Sequence, residues 1–314
     1  MRVVVIGKGL MLANIILGCV DAGVNVVGVL RYEQTCENPF KLFLRDIFNQ
    51  SDELSLIKEL GIPQLRFKSV NSMEFKNYLI KNNIDIVFVG TWREKIKKEI
   101  FDVPTIGMIN LHPSLLPLYR GPNPYLQTIL HGEKYSGVTL HLIDENYDTG
   151  AILSQAKVEI KESDTSKELR EKTVVKARFL VREFLLDLNE KIVTPVSQNE
   201  KLATYYSNIS GFERMLNFKT QSSVEISRTI RAIYPFLPSY LTYKKMFFIV
   251  NPYRFKCLEG NYEKDIAGKI IQKNPKSNSL SIVCSDGKAI CFEGLRLYRA
   301  NALTSFVIKY FVKI

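Results

Sequence analysis

The 314-residue chain has few of the features that mark membrane, disulfide-rich or metal-binding proteins. No apolar run reaches the roughly 18 residues that a membrane-spanning helix requires, so we expect no membrane partner. The five cysteines are scattered and form no CxxC pair, which predicts free thiols and a cytoplasmic location. The three histidines show no metal-ligand spacing, so we also expect no metal site.

Excess charge is also missing from the first two thirds of the chain. Residues 1–200 contain 25 Lys and Arg against 25 Asp and Glu, whereas residues 201–314 contain 18 against 7, which accounts for the whole net charge of +11. A localised basic excess is typical of proteins that bind a polyanion. The alternative is a lysine-rich composition with solvated faces. The candidate basic residues are Lys244, Lys245, Arg254, Lys256, Lys269, Lys273, Lys276, Arg296 and Arg299.

The N-terminal residues predict the start of an α/β fold. Residues 2–6 form an apolar run typical of a buried parallel strand, a Gly-Lys-Gly turn leads to a helix near 10–22, and residues 25–30 read as a second strand. Leu12 stands where the full GxGxxG pattern requires its third glycine. The sequence therefore predicts a βαβ scaffold without a dinucleotide site.

Several polar residues that could take part in catalysis lie between residues 107 and 150. The strand predicted over 105–111 leads into Asn110 and His112, which alternate with apolar neighbours and therefore point to the same side. Asp148 follows in a short turn. An amide, an imidazole and a carboxylate together suit acyl transfer to an amine. Asn110 can donate to an oxyanion and His112 can polarise or shuttle a proton, while Asp148 can orient the imidazole, hold it charged or accept a proton.

The order of these residues resembles the folate-dependent formyltransferase family. The string runs Asn-x-His-Pro-Ser-Leu-Leu-Pro, then Tyr-Arg-Gly, then Gly-Val-Thr, then Asp-x-x-x-Asp-Thr-Gly. An Asn-x-His pair alone is more often a satisfied turn, but here several separate pieces agree in order and spacing. The resemblance implies a Rossmann-like, mostly parallel sheet and formyl transfer from 10-formyltetrahydrofolate to an amine. It also implies that Asn110, His112 and Asp148 are the catalytic residues.

The resemblance further implies a folate site around two loops. One loop is a rigid Ser-Leu-Leu-Pro segment, and the other follows the strand predicted over 84–90, where the family lines its pteridine pocket. The residues expected to bind the folate are Ser114, Leu115, Leu116, Pro117, Trp92 and Asp144. Trp92 could equally be a core residue. His141 could face the site, belong to the core or support the catalytic residues from behind.

The chain is expected to divide into three parts. Residues 1–195 form the catalytic domain, and residues 196–245 form a polar linker with a connecting helix near 223–233. Residues 246–314 contain short β runs broken by Gly, Asn and Pro, which predict a small, basic, open β-barrel of the OB-like type. The resemblance is weaker here, because Phe236 and Ser239 stand where the family has a tryptophan and a glycine.

Two acceptors for the formyl group stay open. Members of the family that act on transfer RNA carry a small β domain, so the resemblance and the basic excess together favour methionyl-initiator tRNA as acceptor and partner. A nucleotide-linked amino sugar or another small amine is the alternative. It is favoured by the Gly-Pro-Asn-Pro segment at 121–124 and by residues 31–53, which are less basic than a tRNA-contacting loop should be. A non-catalytic RNA-binding module is disfavoured by the intact catalytic residues.

Overall fold

The computed structural model describes residues 1–32, 52–190, 193–209, 214–243, 246–274 and 278–298. Most of the loop predicted at 31–53 therefore lies outside the described residues. The chain groups into two compact units. The first contains residues 1–128, 133–162 and 168–208, and the second contains 129–132, 163–167 and the chain from 209 onward. The predicted borders at residues 195 and 245 stay predictions.

A six-stranded sheet forms the centre of the first unit. Its strands are β1 (Arg2–Gly7), β2 (Asn25–Arg31), β3 (Ile86–Gly90), β4 (Gly107–His112), β5 (Tyr135–Leu142) and β6 (Ile152–Glu159). The order across the sheet is β2-β1-β3-β4-β5-β6. The first four strands are parallel, whereas β5 and β6 run antiparallel to their neighbours. The carboxyl ends of the four parallel strands lie along the same edge of the sheet, and the polar residues at the end of β4 lie there.

Helices cover both faces of this sheet. They are α1 (Gly9–Asp21), α2 (Asp52–Glu59), α3 (Met73–Lys81), α4 (Lys98–Phe101), α5 (Pro124–Leu130) and α6 (Ser166–Glu190). Side chains alternate across a strand, so Val3 and Val5 of β1 pack in the cluster with α1 and α6. Val4 and Ile6 pack with α3 on the other face. None of the described helices is both long and apolar enough to cross a membrane.

The second unit combines helix α7 (Ser223–Ile233) with two antiparallel sheets. Its strands are β7 (Ser239–Tyr243), β8 (Met246–Val250), β9 (Phe255–Leu258), β10 (Ile270–Asn274), β11 (Ser279–Val283), β12 (Ala289–Phe292) and β13 (Arg296–Leu297). One sheet has the order β10-β11-β12-β9 and the other β13-β8-β7. The predicted fold class, a Rossmann-like, mostly parallel α/β sheet followed by a small β domain, is confirmed; where an OB-like open barrel was predicted, the structure describes these two antiparallel sheets.

The basic candidates of the second unit do not share one face. Five of the nine lie among the described residues, and all five are exposed; they are Arg254, Lys256, Lys269, Lys273 and Arg296. Lys256 pairs with Cys291 across the four-stranded sheet, whereas Lys273 pairs with Leu280. Since Leu280 and Cys291 are one register position apart, Lys256 and Lys273 point to opposite faces.

Candidate active site

Strands β4 and β5 bring the first two candidate catalytic residues beside a histidine. Asn110 pairs with His141, and His112 pairs with Thr139 one step further along. Asn110 Nδ2 lies 3.0 Å from His141 Nε2. His112 and His141 are buried, while Asn110 is half-buried at the edge of the sheet.

The turn after β5 places Asp148 against His112. Asp148 Oδ1 lies 3.3 Å from His112 Nδ1, and its Oδ2 accepts the Gly121 N–H at 2.9 Å. The other ring nitrogen, His112 Nε2, is 2.8 Å from the Tyr119 carbonyl oxygen. A carboxylate and a carbonyl can only accept hydrogen bonds, so this arrangement suits an imidazolium with a proton on each nitrogen.

The electrostatics favour an ion pair between His112 and Asp148. Burial on its own would lower the pKa of His112, but the Asp148 carboxylate and the Tyr119 carbonyl together raise it above its ordinary value. Burial likewise opposes ionisation of Asp148, yet the neighbouring His112 charge and the Gly121 hydrogen bond hold its pKa down at about 2. The carboxylate is therefore ionised at neutral pH and favours a charged imidazole.

His141 has the opposite character. Its Nδ1 donates to the Leu142 carbonyl at 2.8 Å, which leaves the Nε2 lone pair to accept from Asn110. Burial, followed by repulsion from His112, lowers the pKa of His141 to about 4, so the ring is neutral. This contact fixes the Asn110 amide with its nitrogen on the His141 side. The amide has a second N–H, which His141 does not use.

The turn that carries Asp148 is held by its own hydrogen bonds. Asp144 Oδ1 accepts from the Thr149 hydroxyl at 2.7 Å and from the Asn146 backbone N–H at 3.1 Å. Gly150 is tightly enclosed, because an added Cβ would lie 1.8 Å from the Leu142 carbonyl oxygen. In this structure Asp144 is therefore a turn-forming residue, and its assignment to the folate stays a prediction.

Much of the Ser-Leu-Leu-Pro loop faces inward, and its rigidity stays a prediction. Ser114 is fully buried and donates its hydroxyl to the Leu118 carbonyl at 2.6 Å. The Leu116 carbonyl accepts from the Gln155 amide at 2.8 Å, and the Leu116–Pro117 peptide is cis. Leu115 and Pro117 are half-buried. The side chains of the loop could thus offer a ligand mainly these two apolar surfaces.

Trp92 lies where the parallel strands end, just after β3. Its ring packs edge-on against Tyr32, with the centroids 5.1 Å apart, and joins the core cluster on one face of the sheet. The indole nitrogen is buried and has no hydrogen-bond partner among the described residues. Trp92 therefore contributes to the core, which is one of its two expected roles, and also carries a donor that a ligand could satisfy.

Two surface cavities meet at Phe101. One, of about 300 Å³, is bordered by Met108 of β4, by Leu142 at the end of β5 and by Ile143 after it. The other, of about 480 Å³, is bordered by the segment 95–99 and by Glu145 and Asn146. Neither is lined by the Ser-Leu-Leu-Pro loop. Across the described parts of the chain, no group of three or more His, Cys, Asp and Glu side chains is placed to hold a metal ion.

Several contacts in the site were not predicted from the sequence. The Tyr119 carbonyl and the Gly121 amide contact His112 and Asp148 through backbone atoms, and a side-chain pattern does not reveal such contacts. Gln198 donates to the Asp148 carbonyl at 2.9 Å from 50 residues away, so no local pattern could reveal it. The structure does bring Asn110, His112 and Asp148 together around His141, as the family resemblance implied, and their catalytic role stays a prediction.

Known proteins are similar to this chain in sequence or in fold. Residues 1–182 match the family model described as "Formyl transferase". A methionyl-tRNA formyltransferase of Halothermothrix orenii is 30% identical over 260 residues, which covers 81% of each chain. A solved N-formyltransferase of Helicobacter canadensis, in complex with folinic acid and dTDP-3-aminofucose, has a TM-score of 0.68 at 21% identity, covering 95% of this chain and 100% of that one. WlaRD, a sugar 3N-formyl transferase solved with dTDP and 5-N-formyl-THF, has a TM-score of 0.69 at 20% identity, covering 96% and 99%.

The family match and the aligned relative define the class of enzyme to which this protein belongs. The chain is a member of the formyl transferase family. The predicted family is thereby confirmed, and so, at the level of the family, is 10-formyltetrahydrofolate as its formyl donor.

Proposed function

We propose that the protein transfers the formyl group of 10-formyltetrahydrofolate to a primary amine, with Asn110, His112 and Asp148 as its catalytic residues. The observation that carries this proposal is the meeting of the three residues at one edge of the sheet. There the His112–Asp148 pair, 3.3 Å apart, supplies a buried imidazolium beside the Asn110 amide. Oriented donors of this kind stabilise an oxyanion more than they stabilise the carbonyl that precedes it.

The reaction can be balanced with this set of groups. The neutral amine attacks the formyl carbon, a C–N bond forms and the formyl oxygen becomes an oxyanion. Asn110 donates its second N–H to this oxygen. Without substrate, the Nε2–H group of His112 donates a hydrogen bond to the Tyr119 carbonyl. When the oxyanion forms, the same N–H donates to it instead, because the oxyanion is the stronger acceptor. The C–N10 bond then breaks, the amine gives up one proton and N10 of tetrahydrofolate gains one.

Asp148 has one favoured role among those that its residue type allows. A carboxyl with a pKa of about 2 is a weak base at neutral pH, so it takes the proton of the amine poorly. The same low pKa reflects its strong interaction with His112. We therefore assign Asp148 to holding His112 charged and oriented, rather than to general base catalysis.

The donor is proposed to bind between the loop after β3 and the turn after β5. The buried indole N–H of Trp92 offers a donor to a ring carbonyl or nitrogen, and the two cavities at Phe101 lie beside the Asp144 turn. Their volumes fall in the range of about 300–1,000 Å³ that small-molecule sites occupy. Leu115 and Pro117 would supply apolar contacts at the site's border.

Methionyl-initiator tRNA is the acceptor that we propose first. Support comes from the methionyl-tRNA formyltransferase that is 30% identical over 81% of the chain, and from the +11 charge confined to residues 201–314. The exposure of Arg254, Lys256 and Lys269 is compatible with contacts to a phosphate backbone. An enzyme of translation initiation would act in the cytoplasm.

A nucleotide-linked amino sugar is the second candidate. It is favoured by the solved sugar N-formyltransferases, whose folds match this chain over nearly its full length. Lys256 and Lys273 on opposite faces of one sheet also weaken the case for one continuous RNA-binding surface.

One experiment separates the two acceptors. Purified protein is supplied with 10-formyltetrahydrofolate and either charged initiator tRNA or a dTDP-linked amino sugar, at matched amine concentrations. Formylation of the tRNA-bound methionine at a higher kcat/KM supports the first proposal. Preference for the sugar transfers the proposal to the second candidate, and formylation of neither amine contradicts both.

A further inference from the structure

A segment beyond the family match runs alongside the two loops that form the site. Residues 196–206, here called the bracing segment, follow helix α6 and belong to the first unit. Val196 exchanges two backbone hydrogen bonds of 2.8 Å with Ile152, at the start of β6. Further on, the Tyr206 N–H donates to the Arg120 carbonyl at 3.0 Å. The bracing segment is thus fastened at both ends, and the family match stops at residue 182.

Gln198 of the bracing segment holds the turn that carries Asp148. Its amide nitrogen donates to the carbonyls of Asp148 at 2.9 Å and Gly150 at 2.8 Å. Its amide oxygen accepts from Arg120 Nη2 at 2.8 Å. Asp148 has a φ of +60°, a backbone conformation that residues other than glycine rarely adopt. Such a backbone persists only where its surroundings over-determine it, and Gln198 supplies two of the required contacts.

Thr204 holds the other loop. Its hydroxyl accepts the Tyr119 N–H at 2.8 Å, and its carbonyl accepts the Arg120 N–H at 2.9 Å. The peptide between Tyr119 and Arg120 is the one whose carbonyl oxygen accepts from His112 Nε2. Tyr119 also has a φ of +60°, and its ring stacks on Tyr206 with the centroids 5.3 Å apart. One peptide unit therefore joins the bracing segment on one side to the imidazole on the other.

We propose that the bracing segment positions the catalytic pair, with Gln198 and Thr204 as its positioning residues. Each holds one of the two positive-φ residues whose atoms contact His112, namely Asp148 and Tyr119. Neither positioning residue is proposed to touch the substrates. The proposal rests on the proposed function for the word catalytic, but the geometry it invokes exists in the free protein. Its first test therefore needs no substrate.

The test compares Gln198→Leu and Thr204→Val with the control Glu200→Gln. Gln198→Leu removes both donors to the Asp148 turn at similar side-chain size, together with the acceptor for Arg120 Nη2. Thr204→Val removes only the acceptor for the Tyr119 N–H. Glu200 pairs with Arg120 at 2.7 Å from the same segment, but it is largely exposed and makes no contact with Asp148 in the described structure. The control therefore weakens a polar interaction of the same segment and leaves the hydrogen bonds of Gln198 and Thr204 in place.

The readout is the pKa of His112, followed by NMR of the labelled imidazole in folded, substrate-free protein. A displaced carboxylate raises this pKa less, so we expect a clearly lower value in Gln198→Leu, a smaller decrease in Thr204→Val and the wild-type value in Glu200→Gln. A segment that merely adds stability would lower the melting temperature without moving the pKa of the folded protein. An unchanged His112 pKa in folded Gln198→Leu and Thr204→Val overturns the proposal.

A kinetic measurement complements the titration. Misplacing a catalytic group costs turnover more than binding, so kcat of Gln198→Leu should fall about tenfold or more while KM for the folate stays near wild type. A loss confined to KM would contradict a positioning role. If wild-type protein formylates neither amine, the proposed function fails, while the His112 titration still decides whether the segment positions the pair.

Discussion

Replacing Asp148 with Asn should discharge His112 while leaving the shape of the site intact. Asn is isosteric with Asp, and its amide can still face both His112 Nδ1 and the Gly121 N–H. In the wild-type protein, burial opposes ionisation of Asp148, yet its pKa falls from 3.8 to about 2, largely through the charge of His112. A pairwise interaction acts equally on both partners. We therefore expect the pKa of His112 to fall in Asp148→Asn, because the buried imidazole loses the carboxylate that raises it.

The pH dependence has a defined sign. Because the pKa of His112 is raised in the folded protein, its ion pair stabilises the fold fully below pH 6.5. This stabilisation is lost as pH rises through the raised pKa. Because the pKa of Asp148 is lowered in the folded protein, its carboxylate stabilises the fold above pH 3.8. This stabilisation is lost as pH falls through about 2. The basic limb of the wild-type pH–rate profile should therefore lie above pH 6.5, and that of Asp148→Asn well below it.

Imidazole NMR titration and pH-dependent kcat/KM measure the two effects independently. In Asp148→Asn the imidazole keeps its burial but loses the carboxylate, so its pKa should lie below the ordinary value of 6.5. Circular dichroism and the melting temperature establish that the variant is folded. A His112 pKa equal to that of wild type in folded Asp148→Asn would refute the ion pair and the role given to Asp148.

Four further perturbations have defined outcomes. His141→Leu should lower kcat about tenfold at unchanged folate KM, because Asn110 loses the acceptor that orients it; equal effects on both constants would contradict this. Gly121→Ala should lower the melting temperature by about 5 °C or more, because its φ is +109° and a Cβ would lie 2.2 Å from the Tyr206 carbonyl oxygen; an unchanged value contradicts the tight approach. Charge reversal at Arg254, Lys256 and Lys269 should raise KM for tRNA and reduce the salt slope of its binding by about 0.7–0.9 for each phosphate that is no longer neutralised, whereas unaltered tRNA kinetics would favour the small-amine acceptor. Exhaustive chelation should leave turnover unchanged while omission of the folate abolishes it, and loss of activity on chelation would reveal a metal requirement.

Local patterns were enough to predict the scaffold. The apolar runs of β1 and β3 are buried on both faces, which is the environment that gives parallel strands their continuous hydrophobic sequence. The alternation at Asn110 and His112 placed both residues on one side of β4, where the structure has them beside His141 and Asp148. Periodicity carries this information because it is a property of neighbours in the chain.

Long-range backbone contacts were beyond the reach of the same reasoning. Thr204 meets Tyr119 from 85 residues away, and neither residue type predicts the other. The Gly121 N–H and the Tyr119 carbonyl act through the main chain, which every residue carries. The neutral state of His141 depends on burial and on the charge of His112, and its tautomer depends on a hydrogen bond to the main chain, so the sequence left its role open. The acceptor is harder still to predict, because it depends on surfaces that the catalytic pattern does not encode.

The most direct test of the proposed mechanism is the effect of Asn110→Ala on turnover with both substrates saturating. Asn110 is proposed to donate to the oxyanion, which exists only after the amine has attacked. Loss of one such donor typically lowers kcat by about 10²–10³. We predict a decrease of this size, with KM for the folate and for the amine near wild type and the protein folded. A folded Asn110→Ala protein with wild-type kcat would contradict the proposed mechanism at its centre.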